Sequence, residues 1–175
     1  DGAINDRYLA LESDCVDLFA LQQPVATDLR FVAASFKIAT DLERIGDLAA
    51  NLAGYSLELG RSDLTAVPVA DVGEMVHRNL LAALAAYRDR DPTACRAVAA
   101  DDHDVDERCE AAADDLVRSL VGRERNPTAE EIEPLLADAR LFMLTVRDLE
   151  RVGDHAVNVA ARTLYAVDGD PDPIR

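Results

Sequence analysis

Apolar residues recur along most of the chain at alternating spacings of three and four, which is the pattern of a helix with one buried face. The first row consists of Ile4, Tyr8, Leu11, Cys15 and Leu18. Pro24 then fits the first turn of a second helix, whose row begins at Phe31 and continues to Leu59. We therefore predict two long helices, followed by a linker from Gly60 to Pro68.

The same spacing predicts a third and a fourth helix. The third spans Val69–Asp89. The fourth begins after Asp91-Pro92, because Asp caps a helix well and proline is favoured at the first helical position. It ends at Gly122, and its apolar row contains one carboxylate, Asp102. A carboxylate in such a row is costly unless it is paired, hydrated or bound to a metal.

The fifth helix runs to Asp168-Gly169, but two starts are compatible with the sequence. Thr128 and Glu131 form a capping-box pattern, which favours a start at Thr128. Pro134 would then interrupt the first turns, which favours a start at Pro134 instead.

One stretch occurs twice. Residues 43–53 read ERIGDLAANLA and residues 150–160 read ERVGDHAVNVA, at an offset of 107 residues. Over Thr40–Ala53 and Arg147–Ala160, 9 of 14 positions are identical, which indicates an internal duplication. Glycine inside a helix costs about 1 kcal/mol relative to alanine. Gly46 and Gly153 therefore predict a close approach of a backbone or a ligand in each copy.

Each copy places two carboxylates one turn apart on the same face of a helix. These pairs are Glu43 with Asp47 and Glu150 with Asp154. Two such groups repel each other unless a cation lies between them, and hard metal ions prefer oxygen ligands. A single pair of this kind is more often a hydrated acidic surface with arginine partners. The two glycines in register, Gly46 and Gly153, favour the metal interpretation.

Antiparallel helical hairpins would bring further carboxylates opposite these pairs. A turn near residues 23–24 places Asp1 and Asn5 opposite the first pair, and a turn near residue 128 places Asp102 and Asp106 opposite the second. The candidate metal ligands are Asp1, Glu43, Asp47, Asp102, Asp106, Glu150 and Asp154. His155 follows Asp154 but points about 100° away from it, so we expect a surface position or a hydrogen bond between helices rather than metal ligation.

Composition supports a helical protein and excludes some partners. Hydrophobic residues make up 49% of the chain but aromatic residues only 5%, which suits helix-on-helix packing. The net charge of −16 disfavours binding to nucleic acid. Cys15, Cys95 and Cys109 have no metal-binding spacing and fall among apolar positions, so we expect buried free thiols in a reducing cytoplasm.

The sequence contains no membrane-spanning pattern. No uncharged apolar run approaches the roughly 18 residues that a transmembrane helix needs. The N-terminus lacks both a methionine and the basic segment of a signal peptide. We therefore expect a protein without a transmembrane segment whose natural start lies upstream of residue 1.

Three stretches resemble the PhoU family of phosphate-uptake regulators: QPVATDLR at 23–30, LERIGD at 42–47 with Asn51, and LERVGDHAVN at 149–158. The similarity covers nearly the whole chain. It implies an all-α fold of up-down antiparallel helical bundles, arranged as tandem three-helix bundles with the first helix missing. Residues 1–62 would form an incomplete first repeat, a helical hairpin, and residues 63–175 a complete second repeat.

The resemblance also implies a function. It predicts a cytoplasmic, non-enzymatic negative regulator of phosphate uptake and phosphate-starvation signalling. Such a protein would contact the ATPase of the phosphate ABC transporter and a phosphate-sensing histidine kinase, and it would form a homodimer. Its acidic motifs would hold a multinuclear cluster of iron or zinc, with magnesium, manganese or nickel as further options.

Two other functions stay open on the sequence. An all-α, metal-dependent nucleotide pyrophosphohydrolase would carry ExxE followed by ExxD. Glu107 and Glu110 fit the first motif, but the downstream spacing is ExxxD and does not match. The chain could also be a structural helical dimerisation module with solvent-exposed carboxylates. No constellation of His, Cys or Ser supports nucleophilic catalysis, which argues against an enzyme.

Overall fold

The computed structural model describes residues 2–21, 26–59, 69–122 and 128–169, and within these ranges the chain forms five α-helices and no strand. The helices are α1 (Gly2–Leu21), α2 (Ala26–Glu58), α3 (Val69–Asp89), α4 (Pro92–Val121) and α5 (Ala129–Asp168). The all-α prediction is confirmed. Asp1, Pro24 and the predicted linker at 60–68 lie outside the described residues.

The predicted helix ends of α4 agree with the structure. Asp91 caps the helix, since its Oδ1 accepts the backbone N–H groups of Thr93 at 2.8 Å and Ala94 at 3.2 Å. Gly122 ends it by donating its backbone N–H to the carbonyl of Arg118. Pro92 needs no donor at the first helical position, which is why it fits there.

The start of α5 is resolved in favour of Thr128. Its backbone N–H donates to Glu131 Oε2 at 2.8 Å, as expected for a capping box. Pro134 lies inside the helix, in its second turn, where one hydrogen bond to the residue four positions earlier is lost. The helix ends at Gly169, which adopts a left-handed backbone with φ of 77°.

Helix α2 packs most extensively against α5, so it shares a hydrophobic core with α3, α4 and α5. One cluster of buried side chains includes Leu48, Val76, Leu116, Phe142 and Val152. A second includes Ile38, Ala83, Val98, Val159 and Leu164. The α2 residues of both clusters pack against α3, α4 and α5. The predicted division of the chain at residue 62 stays a prediction.

Helix α1 is buried less than its apolar row predicts. Cys15 is 4% exposed, whereas Ile4, Leu11 and Leu18 are 41%, 40% and 39% exposed. The prediction of a buried row is therefore wrong at these three positions. Among the described residues α1 makes an extensive contact only with α2, and one neighbouring helix cannot cover both sides of the row.

Asp41 on α2 is fully buried at the contact with α5. His155 Nδ1 lies 3.0 Å from Asp41 Oδ1, and Arg162 Nε lies 2.7 Å from Asp41 Oδ2. A buried carboxylate is tolerated only when it is paired in this way. Of the two options for His155, the structure supports the hydrogen bond between helices and not the surface position.

Asp148 on α5 is the second fully buried carboxylate of this contact. It accepts a hydrogen bond from the Tyr55 hydroxyl at 3.1 Å and is 2.8 Å from Arg147 Nη2. Burial, together with this hydrogen bond and the Asp148 charge, raises the pKa of Tyr55. Asp41 and Asp148 are separated by the duplication offset, and so are Tyr55 and Arg162. The α2–α5 contact therefore joins equivalent positions of the two copies reciprocally, Asp41 with Arg162 and Asp148 with Tyr55.

All three cysteines are buried free thiols, as predicted. Across the four described ranges, no helix has both the length and the hydropathy of a transmembrane span.

Candidate functional site

Helices α4 and α5 come close together at Gly153. A Cβ atom at this position would lie 3.1 Å from Asp102 Oδ1 and 3.5 Å from Val105 Cγ1. The absence of a side chain therefore allows Asp102 to sit directly against the α5 backbone. This is the close approach that the glycine of the second copy predicts.

Four carboxylates, which we call the acidic cluster, lie near one another where the two helices approach: Asp102, Asp106, Glu150 and Asp154. Burial, followed by the charges of Asp106, Asp154 and Glu150 in that order, raises the pKa of Asp102 to about 6. Asp102 therefore lies within electrostatic range of the other three carboxylates, and a shared metal site stays a prediction. Their mutual repulsion makes a proton or a cation favourable at this point.

Asp102 is the inner member of the acidic cluster. Its Oδ1 atom is buried and has no hydrogen-bond partner among the described residues. A buried acceptor left unpaired costs roughly 1–3 kcal/mol. Asp106, Glu150 and Asp154 are exposed, so their side chains can change rotamer without disturbing the core.

The acidic cluster suits a cation in donor type and charge, but its side chains do not converge on a common point. Within the described ranges, no three His, Cys, Asp or Glu side chains stand close enough together to hold a metal ion. Binding would require the exposed carboxylates to rotate towards Asp102. Below the cluster, burial first and the carboxylates second raise the pKa of Cys109 to about 11, so its thiol is neutral at physiological pH.

The first copy of the motif has different surroundings. A Cβ atom on Gly46 would lie 2.8 Å from Ile4 Cδ1, so the glycine here accommodates an apolar side chain of α1. Asp47 is exposed and Glu43 is half-buried. Asn5, an amide, stands on α1 where α4 carries Asp106, and Asp1 lies outside the described residues.

A cleft of about 720 Å³ opens between α4 and α5 next to the acidic cluster. Its lining includes Asp106, Cys109, Glu110, Arg140, Met143 and Arg147. Arg147 donates through Nε and Nη2 to Asp148 Oδ1, at 3.1 Å and 2.8 Å. Arg140 has no carboxylate within ion-pair distance in the part of the chain that the structure describes. The cleft therefore has acidic groups at one end and arginines further along.

Asp41, Asp148, Tyr55 and Arg162 were not singled out by sequence reasoning. A signal was present, because Asp41 and Asp148 are among the identical positions of the duplicated stretch. The duplication preserves an acidic residue whose side chain turns inward, and its identity in both copies could have indicated a shared structural role.

Comparison with known proteins identifies the family. The family model described as the PhoU domain matches residues 1–55 and 69–163. A "Phosphate-specific transport system accessory protein PhoU homolog 1" from Methanothermobacter thermautotrophicus is 34% identical over 168 residues, covering 94% of this chain and 73% of that protein. A PhoU homolog from Deinococcus radiodurans is 35% identical and covers 97% of this chain and 76% of its own length.

Solved structures agree with the sequence comparisons. The crystal structure of PhoU from Pseudomonas aeruginosa superposes with a TM-score of 0.85 at 32% identity, covering 97% of this chain and 78% of that one. The phosphate transport system regulatory protein PhoU from Streptococcus pneumoniae gives a TM-score of 0.85 at 26% identity, with 97% and 76% covered. On the family match, the sequence identity and the shared fold, this chain belongs to the PhoU family.

Proposed function

We propose that this chain is a non-enzymatic regulator of phosphate uptake and phosphate-starvation signalling that binds a metal cation at its acidic cluster. It acts by docking to the ATPase of the phosphate ABC transporter and to a phosphate-sensing histidine kinase. The names of its relatives, accessory and regulatory proteins of phosphate transport, support the regulatory part. A cytoplasmic homodimer is part of the same proposal.

One observation carries the metal-binding part, the unpaired Asp102 Oδ1 among three further carboxylates. Asp102, Asp106, Glu150 and Asp154 would hold the cation. When bound, it would neutralise the repulsion in the acidic cluster and change the charge of this face. Iron or zinc is the first choice, with magnesium, manganese or nickel as alternatives. Glu43 and Asp47, with Asp1, would form a second and weaker site.

The test is elemental analysis of protein purified without an affinity tag, compared with three variants. Glu150→Gln and Asp154→Asn should each lower bound metal severalfold while the helical circular dichroism stays unchanged, because only exposed ligands are altered. Asp114→Asn is the matched control, since this exposed α4 carboxylate pairs with Arg118 at 3.1 Å, outside the cluster. Metal content that is equal in all four proteins would contradict the proposed site.

Docking is tested with purified ATPase and purified kinase sensor region. We expect binding to weaken when the metal is chelated and in Asp154→Asn, but not in Asp114→Asn. Binding that is absent for both partners, with metal bound, would leave a metal protein without the proposed regulatory role.

A further inference from the structure

A further cleft, of about 350 Å³, lies between α3 and α4, and its lining differs from the acidic cluster. Helix α3 contributes Met75, Arg78, Asn79 and Ala82, and helix α4 contributes Asp101, Asp104 and Val105. Binding sites for small molecules usually enclose roughly 300–1,000 Å³. The α3–α4 cleft is therefore large enough for a short ligand.

Asn79 is the buried polar residue of the α3–α4 cleft, with 5% of its surface exposed. Its Nδ2 donates to the backbone carbonyl of Val98 at 3.3 Å. This contact fixes the orientation of the amide, because the opposite orientation would set two oxygen atoms against each other. Asn79 Oδ1 then has no hydrogen-bond partner among the described residues. Buried acceptors are normally satisfied, so this oxygen can receive a donor that enters the cleft.

The exposed side of the α3–α4 cleft is negatively charged. Asp101 and Asp104 are three residues apart, which places both on the same face of α4, and Arg78 on α3 is the opposite charge. Within the described ranges, none of these three side chains takes part in an ion pair. A cation that carries N–H donors would complement both the two carboxylates and the buried oxygen.

We propose that the α3–α4 cleft binds an organic cation, a guanidinium or primary ammonium group on a short aliphatic stem. The head donates to Asn79 Oδ1 and to the carboxylates of Asp101 and Asp104. The apolar side chains of Met75 and Val105 provide contacts for the stem. Arginine and lysine side chains have this chemistry, and the net charge of −16 favours ligands that carry them. This site goes beyond the proposed regulatory function and depends on neither the metal site nor the docking.

An organic cation suits the α3–α4 cleft better than a metal ion does. In the part of the chain that the structure describes, no three His, Cys, Asp or Glu side chains stand close enough together to hold a metal ion. A guanidinium group spreads five N–H donors over a plane. It can therefore contact a buried amide oxygen and exposed carboxylates that do not converge on one point.

The experiment is a nuclear magnetic resonance titration of the isotopically labelled full chain, observed at the side-chain amide of Asn79. The probes are propylguanidinium and propylurea, which is its uncharged isostere. We expect a saturable shift of the Asn79 resonance with propylguanidinium and a much weaker response to propylurea. All samples contain chelator, so the result is independent of any metal at the acidic cluster.

A pair of double variants tests the carboxylates. Asp101→Asn with Asp104→Asn should weaken propylguanidinium binding about tenfold, because charge-assisted hydrogen bonds are lost. Asp114→Asn with Asp115→Asn is the matched control, since it makes the same change of charge on the same helix. These two carboxylates pair with Arg118 and lie outside the cleft, so binding should stay as in the wild type.

Asn79→Leu tests the buried acceptor. It removes the amide at nearly constant volume, and binding, followed at the backbone amides of the cleft, should fall severalfold. Circular dichroism and the melting temperature report whether the variant folds. If it does not fold, the exposed carboxylate variants decide the question, because they leave the core unchanged.

A blocked tripeptide with a central arginine distinguishes the two sources of the cation. Binding of the tripeptide at the same resonances supports a basic side chain of a protein partner, whereas binding of propylguanidinium alone supports a free small molecule. The proposal is overturned if no probe gives a saturable shift, if propylurea binds as well as the cation, or if magnesium produces the same shift. Equal losses in the two double variants would attribute binding to net charge and would overturn it too.

Discussion

The two copies of the duplicated motif share nine residues in fourteen but differ in what faces them. In the second copy, α4 brings Asp102 against Gly153 and surrounds it with three other carboxylates. In the first copy, α1 brings the methyl group of Ile4 against Gly46. The chemistry of each site is therefore decided by the neighbouring helix, because the motif itself is nearly the same.

The buried contact between α2 and α5 shows a similar contrast. Asp41 and Asp148 are equivalent by duplication and both are fully buried, but their partners differ in exposure. His155 and Arg162, beside Asp41, have side chains 11% and 27% exposed. Arg147 and Arg151, beside Asp148, are 56% and 51% exposed. Water can therefore compensate for the loss of Asp148 more readily than for the loss of Asp41.

The largest loss of stability should come from replacing Asp41 or Asp148. Asp41→Ala leaves buried cationic or polar partners unpaired and should lower the free energy of unfolding by about 3–5 kcal/mol. Asp148→Ala should cost about 2 kcal/mol, because its arginines can turn to solvent. Urea denaturation measures both. Asp89→Ala, which breaks an exposed ion pair with Arg88, should leave the midpoint unchanged, and equal losses for Asp41 and Asp148 would contradict the comparison.

A smaller change in the free energy of unfolding is expected when the pH changes. The folded pKa of Asp102, about 6, exceeds its ordinary value of 3.8. The folded state therefore binds more protons than the unfolded state between these values, and stability falls as pH rises from about 4 to about 6. With solvent screening taken into account, we expect a loss of about 1–2 kcal/mol in metal-free protein.

Asp102→Asn checks this assignment, since the asparagine has no proton to lose. Melting temperatures are measured in chelator across this pH range. The part of the pH dependence that comes from Asp102 should be absent in Asp102→Asn, while Asp114→Asn should melt like the wild type. A wild-type slope that survives in Asp102→Asn would assign the pH dependence to another group.

The smallest expected change in stability comes from replacing the two motif glycines with alanine, and it should differ between them. Gly46→Ala should stabilise α2 by about 0.5–1 kcal/mol, because alanine favours a helix and the contacting Ile4 Cδ1 belongs to a flexible, partly exposed side chain. In Gly153→Ala the new methyl meets the buried Asp102 oxygen, so the gain should vanish and metal binding should weaken. Melting temperature and metal content report the two effects. A stabilising Gly153→Ala with unchanged metal content would show that this approach has no role in the site.

The helix ends and the facing of the carboxylates could be predicted from the sequence because they depend on local patterns. The ends of α3 and α4 follow from Asp91-Pro92 and Gly122, and the facing of Asp102 with Asp154 follows from a duplicated spacing. The α2–α5 contact could not be predicted in this way. The burial of Asp41 depends on the packing of two helices that are far apart in the sequence. Its neighbours His155 and Arg162 lie more than a hundred residues away along the chain.

The convergence of ligands also exceeds what spacing can predict. Helical periodicity places Asp106 and Glu150 on facing sides, but it does not determine the rotamers that bring oxygens within reach of one ion. The family resemblance predicted the all-α fold, which the structure confirms. The exposure of Ile4, Leu11 and Leu18 depends on how many helices surround α1, and the apolar row itself carries no information about that number.

The single extensive contact of α1 determines the order in which this molecule opens. Detaching α1 breaks one helix–helix interface, whereas detaching α5 breaks its packing against α2, α3 and α4 together. Among the described helices, the detachment of α1 is therefore expected to be the local opening with the lowest free-energy cost. Under heat or denaturant α1 would detach first, while α2 would stay packed with the helices that carry the four carboxylates.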